Sequence, residues 1–92
     1  MKISKEIMQN WFISYDEYTD RFQIYDNMVF NVNINHFLIK KKDDYTVYIN
    51  KASHQPMLFE ISKLYDKVHL DVNSMKKNDI INLIEPFISK YA

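Results

Sequence analysis

The residue types best suited to chemistry in this 92-residue chain lie in its second half. If residues 56–72 form two paired strands, His69 and Asp71 share one strand face, with Ser62 and Glu60 as their cross-strand neighbours. An imidazole beside carboxylates can hold a metal ion, and it can also activate a serine hydroxyl as a nucleophile. The solvent-facing side of an ordinary hairpin carries the same polar residues, however, and no third ligand follows in the sequence. We therefore predict no catalytic residue, no metal site and no cofactor.

The remaining histidines and the paired aspartates have simpler interpretations. His36 and His54 are read as a turn residue and a loop residue, because neither has a partner at metal-ligand spacing. The pair Asp43 and Asp44 lacks the surrounding pattern of a calcium loop. Since it follows the lysine run 40–42, it predicts the solvated tip of a hairpin.

Composition excludes several enzyme classes. The chain contains no glycine, which phosphate-binding loops, dinucleotide fingerprints and nucleophile elbows require for close backbone approach or positive φ. It contains no cysteine, so disulfides, thiolate metal sites and a cysteine nucleophile are also excluded. Tight turns must then use asparagine or aspartate in the left-handed region.

Charge and hydropathy limit the partners and the compartment. Twelve basic and twelve acidic residues give zero formal net charge, which removes any global attraction to nucleic acid or to an anionic membrane. The first residues lack the continuous apolar core of a signal peptide, and no stretch approaches the roughly 20 apolar residues of a membrane span. We predict a cytoplasmic protein. Its lysine-rich, asparagine-rich composition suggests an AT-rich genome and is compatible with a phage or mobile element.

Apolar periodicity predicts one α+β domain over residues 1–92. Ile3, Ile7, Met8, Trp11 and Phe12 recur at helical spacing and predict an N-terminal helix over residues 3–14. Residues 14–20 follow as an acidic connection, whose carboxylates offer a weak imitation of nucleic-acid phosphates.

Alternation over residues 21–50 predicts a four-stranded antiparallel meander. Loops at 26–28, 35–36 and 42–44 keep one apolar face in register, so that Phe37 pairs with Ile49 and Ile39 with Val47. The predicted inner face comprises Phe22, Ile24, Phe30, Val32, Ile34, Phe37, Ile39, Val47 and Ile49.

The last third of the chain is ambiguous at first and then clear. Residues 56–72 fit either a second β-hairpin turning at 65–66 or, over 56–66, a helix; we favour the hairpin. Asn73 or Ser74 can cap a C-terminal helix, and Pro86 predicts a kink or break in it. The apolar stripe of that helix comprises Ile80, Ile84, Phe87, Ile88 and Tyr91.

The outer face of the predicted sheet is the best candidate site. It mixes rigid aromatic rings, amides and a guanidinium, as protein interfaces do. The predicted partner-binding residues are Arg21, Tyr25, Asn31, Asn33, Leu38, Lys40 and Tyr48. We predict a non-enzymatic protein-binding module that acts as an inhibitor, adaptor or regulator. The alternative is a single-stranded nucleic-acid binder using the same face, and a homodimer through surplus apolar surface stays open.

Overall fold

The computed structural model describes residues 5–91, with side chains described through residue 88. Within this range, helices accompany a five-stranded antiparallel sheet, which confirms the predicted α+β class. The strands are β1 (Phe12–Asp16), β2 (Arg21–Tyr25), β3 (Phe37–Lys42), β4 (Tyr45–Asn50) and β5 (Pro56–Ser62). The α-helices are α1 (Lys5–Met8), α2 (Leu64–Val68) and α3 (Lys77–Tyr91), and short 3₁₀ helices span Asn27–Asn31, Ile34–His36 and Val72–Ser74. Ile3 of the predicted first helix and the Tyr91 side chain of the predicted stripe lie outside the described residues.

The strand order differs from the predicted sequential meander. The order is β1-β2-β5-β4-β3, so the last strand in sequence lies at the centre and pairs with both β2 and β4. Phe59 on β5 sits between Ile24 on β2 and Val47 on β4. The prediction was wrong because it paired β2 with the segment that follows it in the chain, whereas β2 pairs with β5, more than thirty residues away.

The N-terminal helix is shorter than predicted. Helix α1 ends at Met8, and Phe12 begins β1 instead of completing a helical turn. Ile13 and Tyr15 alternate toward the core and pair with Ile24 and Phe22. After residue 11, half-buried and exposed residues therefore alternate with the two-residue period of a strand. Part of the predicted acidic connection belongs to β1.

Residues 27–36 form 3₁₀ helices where the sequence predicted a strand and a hairpin turn. A carboxylate oxygen of Asp26 accepts the Met28 N–H at 3.0 Å, and the Asn33 side-chain oxygen accepts the Asn35 N–H at 2.9 Å. These side-chain caps offer the backbone local partners in place of a strand ladder. Phe30 and Ile34, predicted as core residues, are exposed as a result.

The β3–β4 hairpin is confirmed, but its register is shifted by one residue. Two residues, Asp43 and Asp44, form the turn, and Asp43 takes the left-handed conformation at φ 51°. Val47 therefore pairs with Lys40, and Ile49 pairs with Leu38. The predicted pairs with Ile39 and Phe37 were wrong, because a loop of two residues instead of three places every β3 side chain on the opposite face of the sheet.

Residues 56–72 contain one strand rather than a hairpin. Strand β5 is present as favoured, but residues 64–68 form α2, so the predicted turn at 65–66 and the following strand are absent. Leu64 is fully buried and Val68 packs against the same core, which is the spacing of one helical turn. Lys63 and His69 flank this short helix in left-handed conformations.

Helix α3 closes the fold. Its buried residues are Ile80, Ile81, Ile84 and Ile88. The helix runs through Pro86 to Tyr91, so Pro86 does not end it. The predicted caps Asn73 and Ser74 lie instead in the preceding 3₁₀ helix.

The sheet has two unequal faces. The helix-covered face carries the main core, whose sheet members are Phe22, Ile24, Val47, Ile49, Phe59 and Ile61. The second face carries a small separate core of Val29, Phe37 and Leu58, covered by the 3₁₀ segment 27–36. Phe37 is thus buried as predicted, but on the opposite face.

Candidate functional site

The cluster around His69, which depended on a hairpin over residues 56–72, is not assembled. His69 follows α2 in a left-handed conformation and its ring contacts Tyr65. Asp71 is engaged locally, accepting from the Asn73 N–H and the Ser74 hydroxyl, each at 3.0 Å. The strand that would have aligned these side chains with Ser62 does not form. Across the described part of the chain, no group of three or more metal-ligating side chains comes together.

Three predicted partner-binding residues lie on the second face of the sheet. Arg21, Tyr25 and Tyr48 all share the face of Leu58 by register. The Arg21 guanidinium contacts a carboxylate oxygen of Glu60 at 3.4 Å and remains more than half exposed. Tyr48 is half-buried, with its ring edge-on to Phe37.

Two further predicted residues, Asn31 and Asn33, belong to the segment that covers this face. Both side chains are exposed rather than set in a sheet row. The Asn31 amide contacts the Met28 sulfur at 3.8 Å, and the Asn33 oxygen caps the second 3₁₀ turn. They line a shallow groove beside His36 and Lys51.

The last two predicted residues, Leu38 and Lys40, face the other way. The observed register places them on the helix-covered side of β3, opposite Ile49 and Val47. Both are exposed because β3 is an edge strand beyond the cover of α3. The seven residues therefore form no single surface, and their assignment to one outer face was wrong.

The most prominent surface feature is an exposed aromatic cluster, defined as Phe12, Tyr25 and Phe30. The Phe12 ring stacks on Tyr25 with 6.1 Å between ring centroids, and Phe30 meets Tyr25 edge-on at 5.2 Å. Phe30 is 71% exposed and Phe12 51% exposed, and Met28 nearby in sequence is also exposed. Two largely exposed phenylalanine rings, each in contact with the half-buried Tyr25, therefore form one apolar surface patch.

Local backbone geometry fixes the direction of Phe30. The Asp26 N–H donates to the Met57 carbonyl at 2.8 Å, and the Val29 N–H donates to the Asp26 carbonyl at 2.9 Å. Val29 is thereby buried against Phe37, so its neighbours along the tight turn point outward. Sequence reasoning missed the cluster because it assigned Phe12 to a helix and Phe30 to the core; Asp26, a turn-capping residue, was the available signal.

An acidic network at one end of the sheet is structural. The Asp20 carboxylate accepts the Tyr15 hydroxyl at 2.7 Å and the backbone N–H groups of Tyr65 at 2.8 Å and Asp66 at 3.3 Å. Burial opposes ionisation of Asp20, but these hydrogen bonds, led by Tyr65, hold its pKa below the ordinary value. One carboxylate thus ties the β1–β2 turn to the start of α2.

The same contact changes the titration of Tyr15. Burial, followed by the hydrogen bond to the negative Asp20, raises the pKa of Tyr15 from 10.0 to about 12. We expect the free energy of unfolding to fall as pH rises through that interval, because folded Tyr15 keeps a proton that the unfolded chain has lost. Urea denaturation at several alkaline pH values measures this slope. Tyr15→Phe should reduce this slope. The part that remains is due to Tyr45, because burial raises the pKa of Tyr45 as well. An unchanged slope would contradict the assignment of this titration to Tyr15.

Comparison with known proteins finds no matching family model, no matching curated protein and no matching solved structure. Among residues 5–91, no helix combines the length and the apolar character needed to cross a bilayer. We therefore infer the function from the surface of the fold.

Proposed function

We propose that this chain is a small, non-enzymatic protein-binding module that contacts its partner through the aromatic cluster. The observation that carries the proposal is the contact of both Phe12 and Phe30 with Tyr25, the first stacked and the second edge-on, with both phenylalanines mostly exposed. Rings left in water do not contribute the free energy that their burial would give. Contiguous exposed apolar groups of this kind typically mark interaction sites.

The surroundings of the cluster support a protein contact. Gln23 and Arg21 lie on the same face of β2 as Tyr25, and both contact Glu60. The Gln23 amide donates to a Glu60 carboxylate oxygen at 3.0 Å. An apolar centre beside a polar margin is the usual anatomy of a protein interface. Large aromatic anchors and arginine are also the residue types that dominate binding energy.

Composition supports the cytoplasmic setting that we propose for this contact. A chain without cysteine needs no oxidising compartment for its stability.

The proposal is tested by retention of a partner on the immobilised full chain. Phe30→Ser should lower retention about thirtyfold or more, as expected for a hot-spot residue worth roughly 2 kcal/mol. The matched control is Tyr18→Ser, which removes an aromatic ring that is 94% exposed but lies in the β1–β2 turn, outside the cluster. A partner retained equally by the Phe30 variant and the wild type would contradict the proposal.

The competing nucleic-acid function is separable by salt. Single-stranded binders combine stacking rings with a positive track along the backbone. Of the lysine run 40–42, Lys40 and Lys42 project from the face opposite Tyr25, and Lys41 alone shares its face, so the lysines form no continuous positive track beside the rings. Fluorescence anisotropy with labelled single-stranded and duplex oligonucleotides should therefore show no binding at low salt. Binding that falls steeply with added salt would favour the competing function.

A further inference from the structure

Strand β3 leaves one side of its backbone without a strand partner. It pairs with β4 alone and forms the edge of the sheet opposite to β1. In a two-residue hairpin the residues flanking the turn, here Lys42 and Tyr45, are a hydrogen-bonded pair, and such pairs recur at every second position. The Lys51 N–H donating to the His36 carbonyl at 2.9 Å continues the same alternation. Even-numbered residues of β3 thus bond to β4, and odd-numbered residues direct their backbone groups outward.

The outward groups belong to Phe37, Ile39 and Lys41. The Phe37 N–H is already used, because it donates to the Ile34 carbonyl at the end of the 3₁₀ helix. That leaves the Phe37 carbonyl together with the N–H and carbonyl groups of Ile39 and Lys41. Their spacing is that of a strand ladder, which an added strand can satisfy.

The side chains along this edge are cationic and partly apolar. Lys40, Lys41 and Lys42 are all exposed, and Leu38 and Ile39 are each nearly half exposed. Within the described residues, none of the three lysines forms an ion pair. The lysines alternate between the two faces of the sheet, so they would flank an incoming strand above and below.

Charge selects the kind of strand that fits. Two copies paired edge to edge would gather six lysine side chains along one ladder, which is a recognised protection against self-pairing. An acidic segment reverses that interaction, because opposite charges across a ladder are favourable. We propose that the β3 edge accepts an extended acidic segment of a partner protein as a sixth strand of the sheet.

This surface is separate from the aromatic cluster. Phe12 and Tyr25 of the cluster lie on β1 and β2, and Phe30 lies in the 3₁₀ helix that follows β2, whereas β3 is at the far edge of the sheet, four strand spacings or roughly 19 Å from β1. A partner can therefore contact either surface alone, and the two proposals can fail independently.

The test uses a fluorescein-labelled eight-residue peptide that alternates glutamate with valine, and a matched peptide with lysine in place of glutamate. The glutamate peptide should bind the full chain, and amide exchange should slow at Ile39 and Lys41 but not change at Lys40, whose N–H already bonds to β4. Ile39→Pro removes an outward N–H and should weaken binding about tenfold, whereas Ile39→Ala keeps that N–H and should bind within about threefold of the wild type. Lys41→Glu should also weaken binding, and Phe30→Ser should not.

Several results would overturn the proposal. Equal binding of the lysine peptide would remove the role of charge. Affinity unaffected by Ile39→Pro, or protection absent from Ile39 and Lys41 in the wild type, would show that the peptide is not added as a strand. Binding of a single-stranded oligonucleotide in its place would make the lysines a phosphate contact. A dimer seen by sedimentation and lost in Ile39→Pro would assign the edge to a second copy.

Discussion

Replacing Phe59 with alanine is expected to lower the free energy of unfolding by about 3–5 kcal/mol, the usual cost of truncating a buried phenylalanine. Phe59 is 1% exposed and lies on the central strand, between Ile24 and Val47. Its ring also meets Tyr45 edge-on. A cavity there removes packing from three strands at once, in a chain whose total stability is typically about 5–15 kcal/mol. Chemical denaturation measures the loss directly.

The matched control is Phe30→Ala. It removes the same ring from a position that is mostly exposed, so the free energy of unfolding should change by less than about 1 kcal/mol. A cost as large as that of Phe59→Ala would show that Phe30 is a core residue. The interpretation of the aromatic cluster as a contact surface would then be wrong.

Asp20→Ala is expected to cost about 2–4 kcal/mol of stability, because one change removes the acceptor for three donors. The Tyr15 hydroxyl and the backbone N–H groups of Tyr65 and Asp66 lose their common acceptor. Asp20 also holds a left-handed conformation at φ 51°, which aspartate tolerates better than alanine. Glu17→Ala, an exposed change in the same turn, should alter stability by less than about 0.5 kcal/mol.

The pH dependence of the Asp20 variant provides a second readout. The folded pKa of Asp20 is lowered, so its contribution is present above the ordinary aspartate value of about 4 and is lost as pH falls through the folded value. Urea denaturation should therefore show wild type and Asp20→Ala converging in acid. A difference in stability that stays constant with pH would contradict the network.

Strand identity was predictable where alternation was regular. Phe22 and Ile24, and likewise Val47 and Ile49, alternate with polar residues, and all four are buried on the helix-covered face as expected. The stripe of α3 was equally clear, since Ile80, Ile84 and Ile88 repeat every fourth residue and are buried. Such periodicity reports local geometry and needs no knowledge of the remote partner.

The same use of apolar alternation gave a wrong prediction for the segment 27–36. Phe30, Val32 and Ile34 alternate as a strand would, yet side-chain caps from Asp26 and Asn33 stabilise 3₁₀ turns instead. The alternation of apolar and polar residues does not reveal such hydrogen bonds, because an asparagine is compatible with both a polar strand position and a capping position. The predicted outer face was wrong in part for this reason, since Asn31 and Asn33 belong to these turns and not to a strand of the sheet.

Strand order and the β3 register required information that is not local. A turn of two residues or of three at Asp43 and Asp44 changes which β3 side chains face the helices, and the sequence there permits either. The central position of β5 likewise depends on pairing across more than thirty residues with β2. Leu38 and Lys40 were assigned to the wrong face as a consequence.

Cross-saturation transfer from a bound partner protein to the aromatic ring protons of the labelled chain shows directly whether the partner contacts the aromatic cluster. We expect the rings of Phe12, Tyr25 and Phe30 to receive saturation, because they form the aromatic cluster. The Tyr18 ring, exposed in the β1–β2 turn and outside the cluster, should receive none. Saturation of Tyr18 without transfer to the three clustered rings would show that the partner binds elsewhere on the surface.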